Sequence, residues 1–232
     1  MKKINFKEYW AKKSAPDNRR DDDNFCQKKV DEILLHIKRG GILLDYGCGN
    51  CNQTKFLSSH FDRIIAVDFS KSMLIEAENQ VELHGIKNII LLQADEDNLW
   101  GKIGVKVDAV IATSVIQYFS SQKLEQFVKK CAENILDDGH VVFFDVINPL
   151  KFIFFKHNLI NKKGTFVNII ASIIHATYIY FFRSKPDIYL GEIGFGYYPD
   201  YFLNMGRKYN LNIIIVSSIY YEYRYHVIIQ KK

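Results

Sequence analysis

The stretch LLDYGCGNCNQ, Leu43 to Gln53, lays two chemistries over each other. Cys48 and Cys51 form a C-x-x-C pair, the spacing of redox dithiols and of half a zinc site. Gly47 and Gly49 follow an apolar run that ends in Asp45, the pattern of a loop whose backbone closes on a ligand. Cys26 and Cys131 stand alone, with no histidine at ligand spacing, so a zinc site would lack its second ligand pair. The cysteines are therefore read as small residues filling a tight turn, and the glycines as the chemistry. No metal is expected.

The glycine loop is not of every kind. No G-K-S/T follows it, which excludes a Walker-type phosphate loop, and Asn52 stands where a G-x-G-x-x-G loop has its last glycine. Carboxylates then recur at the ends of successive apolar runs: Asp45, Asp68 in RIIAVD, and Asp95 with Glu96 in LLQADE. In dinucleotide folds an acid about 20 residues past the glycines accepts hydrogen bonds from ribose hydroxyls, the position of Asp68. An acidic rim suits a cofactor with hydroxyls, an adenine amine and positive charge better than one with a pyrophosphate.

The elements that must position these residues alternate. GGILLDYG, RIIAVDF, NIILLQAD, VDAVIATSV and GHVVFFDVI read as five strands, the first an unbroken apolar run typical of a strand buried on both faces. Ser70 can cap a helix through Met73, Leu74, Ala77 and Val81 that stops at Gly85. A further helix around Leu124 to Leu136 carries Leu124, Phe127, Val128 and Cys131 on one face. A short helix fits Gln53 to His60. Such alternation implies right-handed β-α-β units and a mostly parallel sheet. Asp21 to Lys38 reads as a preceding helix with Val30, Ile33, Leu34 and Ile37 on one side, and FKEYW as a short one before it. LNIIIVSSI and YRYHVIIQ read as a closing strand pair.

The 232 residues suffice for one α/β domain or a core with an insertion. Lysines interrupt the apolar residues of MKKINFKEYWAKKS, which argues against a secretory leader, and four cysteines in a chain this long fit a reducing cytoplasm. The net charge of +5 is concentrated: between Asn148 and Tyr209, eight Lys and Arg face Asp187, Glu192 and Asp200, and the remainder is balanced. These basic residues are scattered among apolar ones rather than forming a stripe, so no nucleic-acid partner is expected.

The segments LLDYGCGNC, IIAVDFSKSMLIEA, LLQADEDNL and VDAVIATSVIQYF, in that order, resemble the class I S-adenosylmethionine-dependent methyltransferases of the small-molecule type. The resemblance covers about Lys38 to Asn148. It implies an α/β, Rossmann-like fold: a seven-stranded, mostly parallel sheet with helices on both faces, an antiparallel last strand and a helical insertion after strand 5. It implies S-adenosyl-L-methionine as cofactor. Asp45, Gly47 and Gly49 would meet its methionine part, Asp68 its ribose, and Phe69, Met73, Asp95 and Glu96 its adenine. Thr113, Ser114 and Gln117 would line the methyl-transfer side, and Tyr9 or Trp10 would fold over the cofactor. The family usually has a third glycine where Cys51 stands.

One domain, 1–232, is expected, with 1–39 as a helical cover and 149–199 as an inserted acceptor-binding lid. The run Phe166 to Phe182 contains no charged residue, but Asn168, Ser172, His175 and Thr177 interrupt it and it is short of the ~20 residues of a bilayer span. A lid over the acceptor is expected, with membrane-surface docking or a dimer contact as alternatives; monomer and homodimer stay open. His175, Tyr198 and Asp145 are the candidate bases. Arg183, Lys185, Tyr197 and Arg207 are the candidate acceptor-binding residues, the cations suiting an anionic small molecule. O-methylation is expected, with RNA, lipid or quinone methylation or a non-catalytic cofactor-binding role as alternatives.

Overall fold

A computed structural model describes residues 4–11, 22–157, 166–181 and 186–232. Seven strands form one sheet: β1 (Ile42–Tyr46), β2 (Arg63–Asp68), β3 (Ile89–Gln93), β4 (Val107–Thr113), β5 (Ile135–Ile147), β8 (Leu211–Ser217) and β9 (Arg224–Lys231). Their order across the sheet is β3-β2-β1-β4-β5-β9-β8. β1 to β5 pair in parallel, whereas β9 runs antiparallel to both β5 and β8. The order reverses between β1 and β4, and the carboxyl ends there open a crevice where such sheets bind ligands.

Each face of the sheet has its own core. On one, Leu44, Val110 and Phe143 pack against α6 (Ser121–Asn134) and α9 (Pro199–Tyr209) through Phe127, Val128, Phe202 and Met205. On the other, Leu43, Ile64 and Ile111 meet α2 (Asp23–Leu34) and α4 (Lys71–Leu83) through Val30, Ile33 and Ala77. The helices start at side-chain caps that accept otherwise unpaired backbone N–H groups: Asp22 for α2, Ser70 for α4 and Ser120 for α6. All four residues expected on the inner face of α6 are buried.

Two elements depart from expectation. α6 ends at Asn134 and β5 starts at once with Ile135, which pairs with Val107 before the register shifts to His140 on Ala109. Gly139 permits the shift, because a Cβ there would lie 2.9 Å from the Asp108 carbonyl oxygen. The insertion is helical only in its first part, α7 (Pro149–Lys156) and α8 (Phe166–Phe181); β6 (Asp187–Tyr189) and β7 (Phe195–Tyr197) then form a hairpin. Gly194, at φ +97°, lets this hairpin press on the turn after β4, since a Cβ would sit 2.2 Å from the Gln117 carbonyl oxygen. Two shorter helices, α3 (Thr54–Leu57) and α5 (Leu99–Ile103), and α1 (Phe6–Ala11) are the other α-helices among the described residues.

Candidate active site

The turn after β1 is built so that only glycine fits twice, for opposite reasons. Gly47 (φ +77°) lies where a Cβ would be 2.4 Å from Val115 Cγ2. Gly49 (φ +56°) faces open space, with no atom within 4 Å of the point a Cβ would occupy. Gly47 and Cys48 donate their N–H groups to the Val67 carbonyl, at 2.7 and 3.0 Å. The Asp68 carboxylate fixes the loop from β2, accepting from Gly49 N (3.0 Å) and Ser70 N (2.8 Å). Burial pushes Asp68 up, against those hydrogen bonds. Asp45 is buried behind the loop, takes a hydrogen bond from Thr54 Oγ1 at 2.6 Å, and is pushed up to about 6 by burial and the nearby Asp68 charge.

Cys51 is buried and Cys48 partly buried in this turn, and both are free thiols. A hydrogen bond with Cys51 and burial push the Cys48 thiol well above its ordinary range. A thiol raised in this way is a poor nucleophile. Cys51 is wholly buried at φ +61°, the left-handed conformation a glycine adopts without strain.

This loop forms the floor of a cavity of about 490 Å³ at the crevice between β1 and β4. Asp45, Gly47, Gly49, Asp68, Phe69, Met73, Glu96, Thr113 and Asp145 all line it. So do Phe6, Lys7 and Trp10 of α1, whereas Tyr9 does not and rests edge-on against Trp10. α1 is pinned by charge: Lys7 Nζ lies 2.9 Å from Asp95 Oδ2 and 3.2 Å from Glu96 Oε1. Lys123 also pairs with Glu96, whose other oxygen accepts from Tyr46 Oη at 2.9 Å. Asp95 is off the cavity; Lys7 holds it below the usual carboxylate range, and its Oδ1 accepts from the N–H groups of Asp97 and Asn98.

At the other end of the cavity lies a buried polar cluster that sequence patterning did not reveal apart from Asp145. Lys29 Nζ sits 2.5 Å from Glu32 Oε2 and 3.0 Å from Asp145 Oδ2. The Asp145 N–H donates to His226 Nδ1 (3.1 Å), which places the ring proton on Nε2, toward Glu32 Oε1 at 2.8 Å. Burial alone would raise Glu32, but hydrogen bonds from His226, Lys29 and the Ile219 N–H take it down to about 2. The three groups Glu32, Asp145 and His226 are close enough together to hold a cation; the Lys29 ammonium occupies that position between the two carboxylates. Asp145 (φ +59°) and Ser114 (φ +58°) are both left-handed, and strain of this kind gathers at functional sites. Arg224 ties them together, its Nη1 donating to Asp145 O (2.8 Å), Ser114 Oγ (3.2 Å) and Gln117 Oε1 (3.2 Å). Local signs existed: Lys29 interrupts the apolar stripe of α2, and Arg224 and His226 are polar residues in an otherwise apolar strand.

Other candidates are elsewhere. Gln117 is buried beside the cavity, on Arg224 and Tyr118 rather than on the lining. Tyr197 is a core residue whose hydroxyl donates to the Phe119 carbonyl, Tyr198 packs near Ile153 and Ile188, and Arg207 bonds Asn204 on its own helix. His175 falls within α8, but its side chain, like Arg183 and Lys185, lies outside the described residues. Of 149–199, Phe195 is the described residue that lines the cavity.

These residues fit S-adenosylmethionine. The open position over Gly49 leaves room for a ligand against the loop, Asp45 and Asp68 offer carboxylates for its amino group and ribose hydroxyls, and Phe69 and Met73 offer apolar surface for its adenine. Residues 43–139 match the family model described as a methyltransferase domain. A tRNA/tmRNA (uracil-C(5))-methyltransferase of Saccharophagus degradans is 38% identical over 73 residues, 31% of this chain and 20% of the relative. The chain thus spans about a fifth of the length of that curated relative. Among solved structures, magnesium protoporphyrin IX methyltransferase of Synechocystis with bound SAH superposes with a TM-score of 0.61 at 14% identity, covering 98% of this chain and 94% of that one. An S-adenosylmethionine-dependent methyltransferase of Clostridium acetobutylicum gives 0.57 at 18% identity and 97% coverage of both. Motif order, sheet topology and the glycine-loop geometry agree with these matches: residues 43–139 form a methyltransferase domain, and the chain has the Rossmann-like fold of S-adenosylmethionine-dependent methyltransferases.

Proposed function

We propose that this chain, in the cytoplasm, methylates a hydroxyl oxygen of a small-molecule acceptor: a sugar, its nucleotide-activated form or a phosphorylated metabolite. The observation that carries the reading is one continuous cavity of about 490 Å³ running from the glycine loop to Asp145. Small-molecule sites occupy roughly 300–1,000 Å³, so cofactor and acceptor must both be compact.

Bound against Asp45, Gly47, Gly49 and Asp68, S-adenosylmethionine supplies a methyl carbon activated on a sulfonium. The protein's contribution is alignment and removal of the acceptor proton. Asp145 takes that proton. Its carboxylate is aimed by Lys29 and by Ser218 Oγ at 3.1 Å from Oδ1, and its backbone by Arg224. Phe25, Tyr118, Phe195 and Tyr221 supply the apolar walls. Lys7, Lys29 and Lys123 on the wall are already paired with carboxylates, which favours a neutral hydroxyl at the reacting end. Of the 149–199 segment, Phe195 is the described residue that contributes to this wall.

The test mixes purified protein with methyl-labelled S-adenosylmethionine and a small-molecule extract, read by mass spectrometry. A labelled methyl ether is expected, and Asp145→Asn should lower kcat by about 10²-fold, the usual worth of a general base, with cofactor affinity kept. Cofactor binding without any labelled small molecule would refute the reading. RNA methylation is a second reading, favoured by the likeness to the tRNA/tmRNA methyltransferase; label in added tRNA would support it instead.

A further inference from the structure

α8 is amphipathic inside out. Val167, Ile169, Ile170, Ile173 and Ile174 are 71, 42, 43, 58 and 65% exposed, and their spacing puts all five on one face. The opposite face carries Asn168, half-buried, and Ser172, fully buried with no hydrogen-bond partner for its hydroxyl among the described residues. Surface helices of water-soluble domains place these residue types the other way round. The apolar surface continues onto α7, where Leu150 and Phe155 are exposed. Phe155 packs tilted and Phe152 edge-on against Tyr223, and Tyr223 tilted against Tyr221 at the cavity wall.

Charge selects what covers this face. From Pro149 to Pro186 the sequence has six basic residues (Lys151, Lys156, Lys162, Lys163, Arg183 and Lys185) and no Asp or Glu. A second copy docked through α7 would set Lys151 and Lys156 against their counterparts, within a segment whose sequence offers no acidic residue to offset them. An anionic lipid leaflet attracts every one of them. The 16 residues of α8 extend about 24 Å, less than the ~30 Å hydrocarbon core, and among the described residues no helix is long and apolar enough to cross a membrane. An apolar helix of this length with a basic surround lies in the interface rather than across it.

We propose that α7 and α8 dock this protein on the surface of a membrane containing anionic lipid, α8 lying in the headgroup region with its aliphatic face toward the acyl chains. This holds for any acceptor and does not depend on Asp145.

The full chain is spun with vesicles of phosphatidylcholine alone and of phosphatidylcholine mixed equally with phosphatidylglycerol. Binding to the mixed vesicles is expected, at least about tenfold stronger than to the neutral ones and weakened by salt. The variant Ile170→Asp/Ile174→Asp should lose at least about tenfold in vesicle affinity while keeping the wild-type circular dichroism spectrum and S-adenosylmethionine affinity. No binding to the mixed vesicles, or equal binding by the variant, overturns the proposal. A concentration-dependent dimer that the variant abolishes, without vesicle binding, overturns it in favour of a second copy.

Discussion

Asp45 should cost the empty protein stability that its removal returns. Burial and the neighbouring Asp68 charge raise it from the ordinary 3.8 to about 6. One pKa unit is about 1.4 kcal/mol, so keeping this carboxylate ionised in the fold costs about 3 kcal/mol at neutral pH. The sign follows from proton counting. Between roughly pH 4 and 6 the folded chain binds more protons at this site than the unfolded chain, so stability falls as pH rises through that window. The replacement Asp45→Asn removes the charge and keeps an oxygen to accept from Thr54 Oγ1 at 2.6 Å. Urea unfolding of the cofactor-free protein at a series of pH values should find the variant about 1–3 kcal/mol more stable near pH 7, its advantage vanishing near pH 4. On the proposed reading, in which the Asp45 carboxylate meets the ligand's positive charge, the variant should also bind S-adenosylmethionine at least about tenfold more weakly. A variant no more stable than wild type at neutral pH, or a difference independent of pH, would refute the reasoning.

Two further outcomes concern the loop and the buried cluster. Cys51 is wholly buried at φ +61°, so Cys51→Gly trades relief of about 1–2 kcal/mol of left-handed strain for a small buried side chain. Its unfolding free energy should stay within about 1 kcal/mol of wild type, whereas Cys51→Val, β-branched at positive φ, should lose more than about 2; a valine variant as stable as wild type would contradict this. Glu32, held down to about 2 from 4.5, contributes stability that is complete above about pH 4.5 and lost as pH falls toward 2, about 3 kcal/mol in all. In acid unfolding curves Glu32→Gln should lack that limb and be destabilised at neutral pH, because Lys29 then loses one of its two buried carboxylates.

The cofactor end of the site is compact in sequence and was therefore readable. Gly47, Gly49 and Asp68 lie within about one β-α-β unit, and local patterning decides such a unit: an apolar run, a glycine turn, a capped helix and the next apolar run. The same local logic placed the inner face of α6. It missed the β6-β7 hairpin, whose three-residue strands are too short for alternation to register, and it put a helix end two residues too late where Gly139 lets β5 begin early. Tyr197, a candidate acceptor-binding residue by sequence, is turned by hairpin packing into the core, onto the Phe119 carbonyl.

Sequence alone thus determined the Rossmann-like fold, the glycine loop and the strand-end positions of Asp45 and Asp68 on the cavity, because each is set by neighbours a few positions away. The tertiary structure decided the buried polar cluster proposed as the acceptor end. Lys29, Glu32, Asp145, Ser218, Arg224 and His226 meet across separations of up to 194 residues, brought together by β9 inserting antiparallel between β5 and β8. The tertiary structure also decided which face of α8 points outward, for helical spacing divides the apolar residues from the polar ones but only packing says which side meets solvent.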